Sequence, residues 1–545
     1  MDDGSGTGRG ARPQRGRAAV PVAVVLAAAL AACMPGPDPG SGQEPGGSAR
    51  TPVPHQEFVS RPDLQPPAVR LTEGPAWSRD AARADEYTFL TPNFGTETPS
   101  DGAVILDARG ELVWMKPSTE QARDDELFDL RVQRYRGESV LTVYQGTSDQ
   151  GRGDGHILVL DQAYAEIARV GTAGSLGPGE ADFHDSTITA DGTMLIGAYV
   201  PVPADLTAVG GPADGYAEDA VIQEVDIATG QVLFEWSALD HVPLTDTLLD
   251  FDREQRELDE EAAEGTEPAA LGTEAEPFDY FHINSITEDH DGALLVSARH
   301  THAVYRIDRT TGAVDWVLGG RSSDFRMGEG AGFTWQHDAH RAPDGTLTLL
   351  DNHAGGQPDD ASSRGLRLAL DEEARTAEVV TEYLPPDERV ASSMANAQQL
   401  PGGGMVIGWG ARPFYSEFTA DGGLVYDVCH GDECYGEDYE GGGGSYRAYR
   451  FPWTGRPGTD PDVVVRRDEE GATAYVSWNG ATEVDRWRLL AGDDAADATV
   501  RSVTDRRGFE TAIPVPDGVS YLAVEALDAG DRVLGEATPE ETTTG

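Results

Sequence analysis

Residues 281–300, FHINSITEDHDGALLVSARH, contain the pattern that decides the fold. A histidine follows an aromatic residue at the start, the dipeptide Asp291-Gly292 lies in the middle, and the β-rich run ALLVSAR follows. An Asp-Gly turn between two apolar, alternating runs is a strong hairpin signal. The stretch therefore predicts two antiparallel strands, with His282 at the start of the first.

The same order recurs in three other segments of the chain. They open as Phe128-Asp129-Leu130-Arg131, Phe183-His184-Asp185-Ser186 and Gln336-His337-Asp338-Ala339, and a turn dipeptide and a β-rich run follow each opening. A polar residue that recurs at one position of a repeat, three times as histidine, indicates a shared role. If the repeats are arranged around an axis, these side chains converge.

Further hairpins complete each repeat. Runs such as GAVILDARGELVW (residues 102–114) and AVYRIDRTTGAVDWVL (residues 303–318) read as strand, turn and strand. A repeating unit of four antiparallel strands is typical of a propeller blade. Units beginning near Asp129, His184, His282, His337 and Asn396, with one around residues 102–114, predict an all-β fold with a six-bladed β-propeller over residues 68–455.

Two regions do not follow the repeat. Residues 460–545 contain alternating strands without the blade pattern and predict a small accessory β-sandwich, similar to a fibronectin type III module, with Trp478 and Trp487 as core residues. Residues 248–276 are rich in Asp, Glu and Ala and predict a solvated insertion of helix and loop; a lid over the site is the alternative.

The composition limits the function. The 545 residues predict two globular units with tails, and 41 Lys+Arg against 95 Asp+Glu give a net charge of −54. Such a charge repels nucleic acid and anionic lipid headgroups, which disfavours a nucleic-acid partner. Acidity that serves only solubility or salt tolerance is the simpler explanation of the excess.

The N-terminus predicts export. Four arginines precede an apolar run over residues 18–32, which is typical of a signal peptide and too short to span a bilayer comfortably. The run ends in Leu30-Ala31-Ala32-Cys33, which resembles a bacterial lipobox with Cys33 as the lipidated residue; ordinary secretion is the alternative. Residues 1–32 are thus the signal peptide, and residues 33–67, rich in Pro, Gly and Ser, predict a disordered tether. The protein would be lipid-anchored to the outer face of the cell membrane.

Two cysteines remain near the end of the predicted propeller, in the sequence CHGDEC. Outside the cytosol a disulfide persists, so Cys429 and Cys434 are predicted to form one across a tight loop. Two unpaired thiols are the alternative.

Four longer stretches together resemble the bacterial arylsulfotransferase family, in its shorter branch common in actinobacteria and fungi. They are residues 183–199, 281–300, 319–353 and 396–418, and SYRAYRFPW at residues 445–453 also fits. The resemblance covers roughly residues 85–455. It implies a six-bladed propeller and an exported enzyme that moves sulfate from a phenolic sulfate ester to another phenol through a sulfated histidine, without a nucleotide sulfate donor and without a cofactor.

The resemblance also implies roles for single residues. His337 matches the family nucleophile, and His184, His282 and Arg299 match the positions that bind sulfate and handle protons. A sulfuryl transfer needs such groups, because positioned positive charge stabilises the equatorial oxygens and a neutral imidazole nitrogen can attack in line. Which of His184 and His282 acts as acid and base stays open at this point.

Four further residues are predicted to contact the substrate: Asp129, Asn284, Asn352 and Asn396. For Asn284 and Asn352 the alternatives are orienting the histidines or closing turns. His300 and His302 stand two apart on one strand, as metal ligands can; no cysteine or clustered carboxylate completes a set, so no metal site is predicted. The partners are a small aromatic sulfate ester and a phenolic acceptor, and the chain is expected to be a monomer or weak oligomer.

Two other functions compete with this one. A non-catalytic propeller could bind a sulfated or aromatic ligand at the cell surface, and its purified form would not release nitrophenol from p-nitrophenyl sulfate. A quinoprotein-type dehydrogenase would carry a bound chromophore, but the sequence has no clear set of quinone-clamping or calcium-binding residues.

Overall fold

The structure is a computed structural model that describes residues 56–77, 86–93, 100–118, 126–149, 151–262, 268–353, 362–431, 444–469 and 471–539. The predicted signal peptide, Cys33, the first part of the tether and Cys434 lie outside these residues, so the lipidation and the disulfide stay predictions. Strands account for 51% of the structure and helices for 5%. The predicted all-β class is confirmed.

Six sheets of four or five strands follow one another between residues 69 and 452. In hydrogen-bonded order, sheet I contains Gly444–Pro452, Glu86–Asn93, Gly102–Leu106 and Leu112–Pro117; sheet II contains Glu126–Tyr135, Glu138–Asp149, Arg152–Leu160 and Glu166–Val170; sheet III contains Ser186–Ile188, Thr193–Ala204, Gly215–Asp226 and Val232–Ser237. Sheet IV contains Ile283–Glu288, Leu294–Ala298, Ala303–Ile307 and Val314–Gly319; sheet V contains His337–Arg341, Leu347–Asp351, Arg364–Asp371, Thr376–Tyr383 and the short parallel strand Arg326–Met327; sheet VI contains Asn396–Gln399, Met405–Gly408, Phe414–Phe418, Leu424–His430 and Val69–Glu73.

The first strands of these sheets contact one another in a closed cycle. The first strand of sheet I contacts that of sheet II, each of the following sheets contacts the next in the same way, and sheet VI returns to sheet I. The two ends of this region exchange strands, because Gly444–Pro452 pairs with Glu86–Asn93 and Val69–Glu73 pairs with Leu424–His430. Backbone hydrogen bonds between distant parts of the chain therefore close the cycle.

A separate hydrophobic cluster lies between each successive pair of sheets. In the second strand of sheet IV, Leu294 and Val296 pack toward sheet III, whereas Leu295 packs toward sheet V. Successive side chains of a strand point to opposite faces, so a strand buried on both faces needs a nearly continuous apolar run. This is why the runs ALLVSAR and TLTLLD carry so few polar residues.

Two further sheets lie after residue 455 and share one core. The first contains Asp462–Asp468, Gly471–Ser477 and Glu510–Val515; the second contains Thr499–Asp505, Arg486–Gly492, Tyr521–Leu527 and Val533–Ala537. Both predicted core residues, Trp478 and Trp487, are buried in this cluster. The side chain of Asn479 bonds both the amide and the carbonyl of Met115 at 3.0 Å, which attaches these sheets to sheet I.

The last part of the predicted tether is packed, which corrects the expectation of disorder up to residue 67. Leu64 is fully buried, and the rings of Phe58 and Phe509 lie 4.5 Å apart. The Ser60 amide donates to a Glu510 carboxylate oxygen at 2.6 Å. Apolar side chains are few in this segment, but the cluster between sheets VI and I, together with Phe509, supplies the surface that buries them.

The acidic insertion forms the helix Phe251–Glu261, as the sequence predicts, with the short helix Ala238–His241 and the 3₁₀ turns Thr207–Val209 and Leu244–Asp246 nearby in the chain. Phe251 is buried against Phe278 with ring centroids 5.3 Å apart. At the start of the insertion, the Leu248 amide donates to the His300 carbonyl at 2.8 Å. None of the helices in the described part is long and apolar enough to span a bilayer.

Candidate functional site

The three predicted histidines lie where the chain enters the first strands of sheets III, IV and V. His184 stands two residues before its strand, His282 directly before its strand, and His337 is the first residue of its own. Arg299 directly follows the second strand of sheet IV, and its amide donates to the His282 carbonyl at 2.8 Å. All four side chains therefore belong to the same end of the six sheets.

These side chains form one contiguous group, which we call the histidine cluster: His184, His282, His337 and Arg299. The ring centroids of His184 and His282 lie 4.8 Å apart, and those of His282 and His300 lie 4.6 Å apart. An Arg299 guanidinium nitrogen lies 2.9 Å from Nε2 of His300. His337 joins this group through Trp335, whose carbonyl lies 3.0 Å from Nδ1 of His337 and whose ring centroid lies 4.4 Å from the Arg299 guanidinium.

Two acceptors hold one nitrogen of the His337 ring. Nδ1 lies 2.8 Å from Oδ1 of Asn352 and 3.0 Å from the Trp335 carbonyl. The Asn352 amide nitrogen donates to the carbonyls of Ala391 and Met394 at 2.8 and 3.1 Å, which fixes Oδ1 as the side facing histidine. A nitrogen between two acceptors carries the proton, so the lone pair of the neutral ring is on Nε2.

Burial and charge keep this ring neutral. Burial lowers the pKa of His337 well below its usual value, and the positive charge of Arg299 lowers it further. His337 is 2% exposed. At neutral pH the residue is therefore a neutral imidazole that carries its proton on Nδ1 and has Nε2 available as a nucleophile.

A carboxylate holds each of the other two rings. Nδ1 of His184 lies 2.5 Å from Oδ2 of Asp182, and Nδ1 of His282 lies 2.5 Å from Oδ2 of Asp279. Burial lowers the pKa of His282 to about 3, against the opposing effect of Asp279. Both rings therefore present Nε2 away from their carboxylates, with the tautomer fixed in the same sense as in His337.

Arg299 is the fixed cation of the cluster. Its guanidinium lies 4.4 Å above the Trp335 ring and donates to the Ser392 carbonyl at 3.3 Å. Nδ1 of His300 lies 2.6 Å from the Asp279 carbonyl, so Nε2 of His300 accepts from Arg299. Burial lowers the pKa of Arg299 to about 10, which leaves it charged at neutral pH.

Aromatic side chains surround the imidazoles. The Tyr199 hydroxyl donates to the Ile283 carbonyl at 2.6 Å, and its ring lies 5.9 Å from that of His282. The Tyr446 hydroxyl donates to the His184 carbonyl at 2.9 Å. Tyr199 and Trp335 are half-buried, which makes them available to flank an aromatic substrate.

A metal ion fits these residues poorly. Asp279, His282 and His300 offer ligand atoms within 4.8 Å of one another, so the carboxylate that the sequence reasoning did not find for His300 is Asp279. An ion between them would have to displace the protons that His282 and His300 donate to Asp279. His302 is not in this group; its ring is tilted against that of Trp335, with the centroids 4.7 Å apart.

Three of the four predicted substrate contacts are engaged elsewhere. Asn352 belongs to the site as the residue that orients His337. Asn396 bonds the amide and carbonyl of Ala448 at 2.9 Å, and Asn284 donates to the Gln336 carbonyl at 2.6 Å. Asp129 lies 3.3 Å from an Arg447 nitrogen and accepts from the Tyr449 hydroxyl at 3.2 Å.

These residues lie around a second group, which we call the arginine cluster: Arg447 with Asp129, Asp185 and Asp338. Arg447 is fully buried and comes from the strand that closes sheet I. One terminal nitrogen lies 3.1 Å from Asp185, and the other donates to the Asn284 carbonyl at 2.8 Å and lies 3.7 Å from Asp338. One side chain therefore connects the first strands of sheets I to V.

A β-bulge explains why the repeat alignment placed Asp129 with the histidines. Phe128 pairs with Tyr144 before a register shift, as His337 pairs with Leu350 before its own shift. The next residue in both strands has a positive φ, 55° at Asp129 and 59° at Asp338. Asp129 is thus equivalent to Asp338, and Phe128 to His337. The extra residue of a bulge cannot be placed from alternation alone.

Sequence reasoning missed the carboxylates that hold the histidines. They precede His184 in the sequence Asp182-Phe183-His184 and His282 in the sequence Asp279-Tyr280-Phe281-His282. An acidic residue two or three positions before each histidine was a readable signal. Asp185 and Asp338, which directly follow His184 and His337, accept hydrogen bonds from the amides of Ile286 and Ala397.

Comparison with known proteins gives a family and distant structural likenesses. A crystal structure of a protein of unknown function from Bacteroides caccae is 13% identical, with 67% of this chain and 99% of that chain covered and a TM-score of 0.37. A Lactobacillus plantarum protein is 13% identical (79% and 99% covered, TM-score 0.32), and a streptogramin B lyase is 11% identical (66% and 98% covered, TM-score 0.32). No curated protein matches the chain.

The family match covers more than half of the chain and includes the histidine cluster. The model of the arylsulfotransferase (ASST) family aligns with residues 131–431, a range that contains His184, His282, Arg299 and His337. The arrangement of three imidazoles beside the Arg299 guanidinium suits the chemistry that this family name describes. The chain therefore belongs to the arylsulfotransferase family.

Proposed function

We propose that this protein transfers sulfate from a phenolic sulfate ester to a phenolic acceptor by a ping-pong route through a sulfated His337, without a nucleotide sulfate donor. Membership of the arylsulfotransferase family supports sulfotransferase activity of this type. The observation that carries the proposed mechanism is the His337 ring, whose Nδ1 is held by Asn352 and Trp335 while Nε2 keeps its lone pair.

In the first half-reaction Nε2 of His337 attacks the sulfur of the donor. The N–S bond forms as the S–O bond to the aryl group breaks, and the electron pair of that bond leaves on the phenolate oxygen. Arg299 stabilises the sulfuryl oxygens with a planar set of donors. The sulfated ring is cationic, and Asn352 and Trp335 stabilise it by accepting from its Nδ1–H.

The leaving phenolate needs a proton, because its conjugate acid has a pKa of about 10. His184 and His282 are the candidates, since both rings turn Nε2 away from their carboxylates. Burial holds His282 neutral in the free protein. A bound sulfate ester carries a negative charge, which raises the pKa of a nearby imidazole and favours its protonated form.

The second half-reaction runs the first in reverse with the acceptor. The imidazole that gave its proton is now neutral and removes the proton from the acceptor hydroxyl. The acceptor oxygen forms a bond to sulfur, the N–S bond breaks, and its electron pair returns to Nε2 of His337. The cluster ends as it began, which is why no cofactor is needed.

We further infer that the six sheets are the blades of a six-bladed β-propeller and that the two C-terminal sheets form a sandwich. The closed cycle of contacts between first strands and the six separate hydrophobic clusters support the first inference. The shared core around Trp478 and Trp487 supports the second. In such a propeller the histidine cluster lies at one end of the central channel.

We also propose that the protein is exported and anchored through a lipid on Cys33, with a disulfide between Cys429 and Cys434. The lipobox-like sequence before Cys33 supports the anchor. An anchored enzyme outside the cell would have no access to a nucleotide donor in the cytosol, which agrees with an aryl sulfate as donor. Globomycin sensitivity of processing in a bacterial host would test the anchor.

The test of function is release of p-nitrophenol from p-nitrophenyl sulfate by the purified protein. We expect release to depend on an added phenolic acceptor, with one acceptor sulfated for each nitrophenol released. Release without acceptor sulfation would indicate a sulfatase. No release between pH 6 and 9 would contradict the proposal and leave ligand binding as the function.

A further inference from the structure

We propose that Asp279 is a positioning residue that holds both the His282 imidazole and the Arg299 guanidinium in their working geometry. The inference rests on the proposed function, since it assigns a role within the same reaction. Asp279 uses two different groups for this purpose, its carboxylate and its backbone carbonyl. One residue thereby couples the proton-handling side of the site to the side that binds sulfate.

The first connection is direct. Oδ2 of Asp279 lies 2.5 Å from Nδ1 of His282, which stands three residues later at a positive φ of 57°. A non-glycine residue in this region of backbone space is strained and needs surrounding contacts to hold it there. The hydrogen bond to Asp279 is such a contact, and it also fixes the tautomer that leaves Nε2 free for a proton.

The second connection passes through His300. The Asp279 carbonyl accepts from Nδ1 of His300 at 2.6 Å, and Oδ2 lies 3.6 Å from the same nitrogen. With Nδ1 protonated, Nε2 of His300 can only accept, and it accepts from Arg299 at 2.9 Å. Loss of the carboxylate would remove the acceptor of His282 and the negative charge beside His300, whose ring the backbone carbonyl of Asp279 still holds.

Charge around Asp279 agrees with this role. Burial opposes ionisation, but the interactions with His282 and His300 hold the pKa of the Asp279 carboxyl well below its usual value. Its charge also acts on Arg299 and on Glu218, whose pKa burial and Asp279 raise to about 8. Arg152 balances this acidic group by donating to Glu218 at 2.6 Å. Oδ1 of Asp279 is buried and has no hydrogen bond within the described residues.

The Asp182–His184 pair lacks the second connection. Oδ2 of Asp182 bonds Nδ1 of His184, and Oδ1 accepts from the amide of Gly153 at 2.7 Å. The hydrogen bonds of Asp182 therefore hold one catalytic ring and the third strand of sheet II. Only Asp279 among these two carboxylates connects a proton donor with the sulfate-binding cation, and this difference gives the proposal its test.

The test measures steady-state kinetics of Asp279→Asn with two donors, p-nitrophenyl sulfate and phenyl sulfate. Phenol is the poorer leaving group, so it depends more on proton donation. We expect kcat with phenyl sulfate to fall about 10- to 100-fold, the range for loss of a residue that orients a working imidazole, and to fall less with p-nitrophenyl sulfate. KM should rise slightly for both donors, because the ring of His300, which accepts from Arg299, loses the neighbouring carboxylate but keeps its bond to the backbone carbonyl.

His300→Phe separates the two connections. It should raise KM for both donors alike and leave the ratio of their kcat values near that of the wild type. The matched control is Asp289→Asn, which also removes a buried carboxylate. Asp289 pairs with Arg306 and Arg341 and directly follows Ile283–Glu288, the first strand of sheet IV, at the end opposite His282. This control should keep the kinetics of the wild type.

Equal losses with both donors at unchanged KM would overturn the proposal, as would kinetics of Asp279→Asn that match those of Asp289→Asn. Wild-type protein without turnover would instead refute the proposed function. If Asp279→Asn does not fold, ¹⁵N NMR of histidine-labelled wild-type protein decides. A His282 ring with Nδ1 protonated and a proton in a short hydrogen bond supports the role of Asp279, and an Nε2-protonated ring contradicts it.

Discussion

The histidine cluster and the arginine cluster share two pairs of adjacent residues, yet their polar atoms are used differently. His184 precedes Asp185 and His337 precedes Asp338. In the histidine cluster each ring has one nitrogen bonded to the protein and one that remains available. In the arginine cluster both terminal nitrogens of Arg447 are bonded to acceptors from several sheets.

This difference separates chemistry from assembly. A side chain that must bind substrate keeps one hydrogen-bonding atom without a protein partner. Neighbouring residues fix the orientation of that side chain, so that the atom points to the substrate. A buried charge that joins several sheets stabilises the fold only when opposite charges or hydrogen-bond acceptors surround it, because an unpaired buried charge is costly. Substitutions in the two clusters should therefore affect different measurements, activity in one case and stability in the other.

The largest effect on activity is expected from His337→Ala. Without a nucleophile the covalent route is lost, and removal of a catalytic nucleophile typically costs at least about 1,000-fold in turnover. Turnover of p-nitrophenyl sulfate with a phenolic acceptor measures the effect, and circular dichroism should report an unchanged fold. Full turnover by the variant would refute the proposed mechanism.

The largest effect on stability is expected from Arg447→Met. It removes the cation that Asp129, Asp185 and Asp338 share, while Arg131 still pairs with the first two and His340 with the third. Breaking a buried ion pair on one side costs about 3–5 kcal/mol, and these remaining partners place the expected loss at the lower end of that range. Thermal or denaturant unfolding measures the loss.

Arg367→Met is the matched control for Arg447→Met, because Arg367 pairs with Asp344 near the surface. An exposed pair contributes at most about 1 kcal/mol. Equal stability of the two variants would contradict the closing role of Arg447.

An intermediate effect is expected from Arg299→Lys. The substitution keeps a positive charge but removes the planar set of donors, so KM for the aryl sulfate should rise about 10-fold while the free energy of unfolding changes little. Kinetics at pH 7 check the rise. A lower kcat with KM unchanged would show that Arg299 acts only in the transition state.

The smallest effect is expected in the pH profile. Burial lowers the pKa of Arg299 to about 10, so donor binding should weaken as pH rises through about 10 and the cation is lost. His337 must be neutral to attack, and its pKa lies well below the usual value, so its protonation should limit activity only in acid.

Asn352→Asp tests whether protonation of His337 sets the acid limb of the pH profile. A carboxylate beside Nδ1 favours the imidazolium form of His337 and raises its pKa, so activity should be lost at higher pH as the solution is acidified. The midpoint of the acid limb should move up by about one pH unit or more. An unmoved acid limb would show that a group other than His337 sets it.

The sequence predicted what local patterns determine. Alternation and turn dipeptides are enough to find the hairpins, and the recurring histidines are enough to predict that these side chains lie close together, because each lies beside its own turn signal. The strand pairing that closes the cycle could not be predicted from local sequence. The strand Gly444–Pro452 pairs with residues more than 300 positions earlier, and no local signal encodes such a partner.

The site predictions failed where one residue of offset matters. Asp129 was aligned with the histidines because the repeat alignment could not place the bulge after Phe128. Asp279 was not found because its function depends on the strained backbone of His282, which brings a ring back toward a residue three positions earlier. Packing of residues 56–67 depends on a surface about 400 residues away.

The central claim is that His337 carries the sulfuryl group between donor and acceptor. The most direct measurement is mass spectrometry of the protein after brief mixing with p-nitrophenyl sulfate without acceptor, followed by peptide mapping. The account predicts one added sulfuryl group on the peptide that contains His337, lost when a phenol is added. An enzyme that turns over substrate rapidly without this adduct, or with the adduct on another residue, would contradict it.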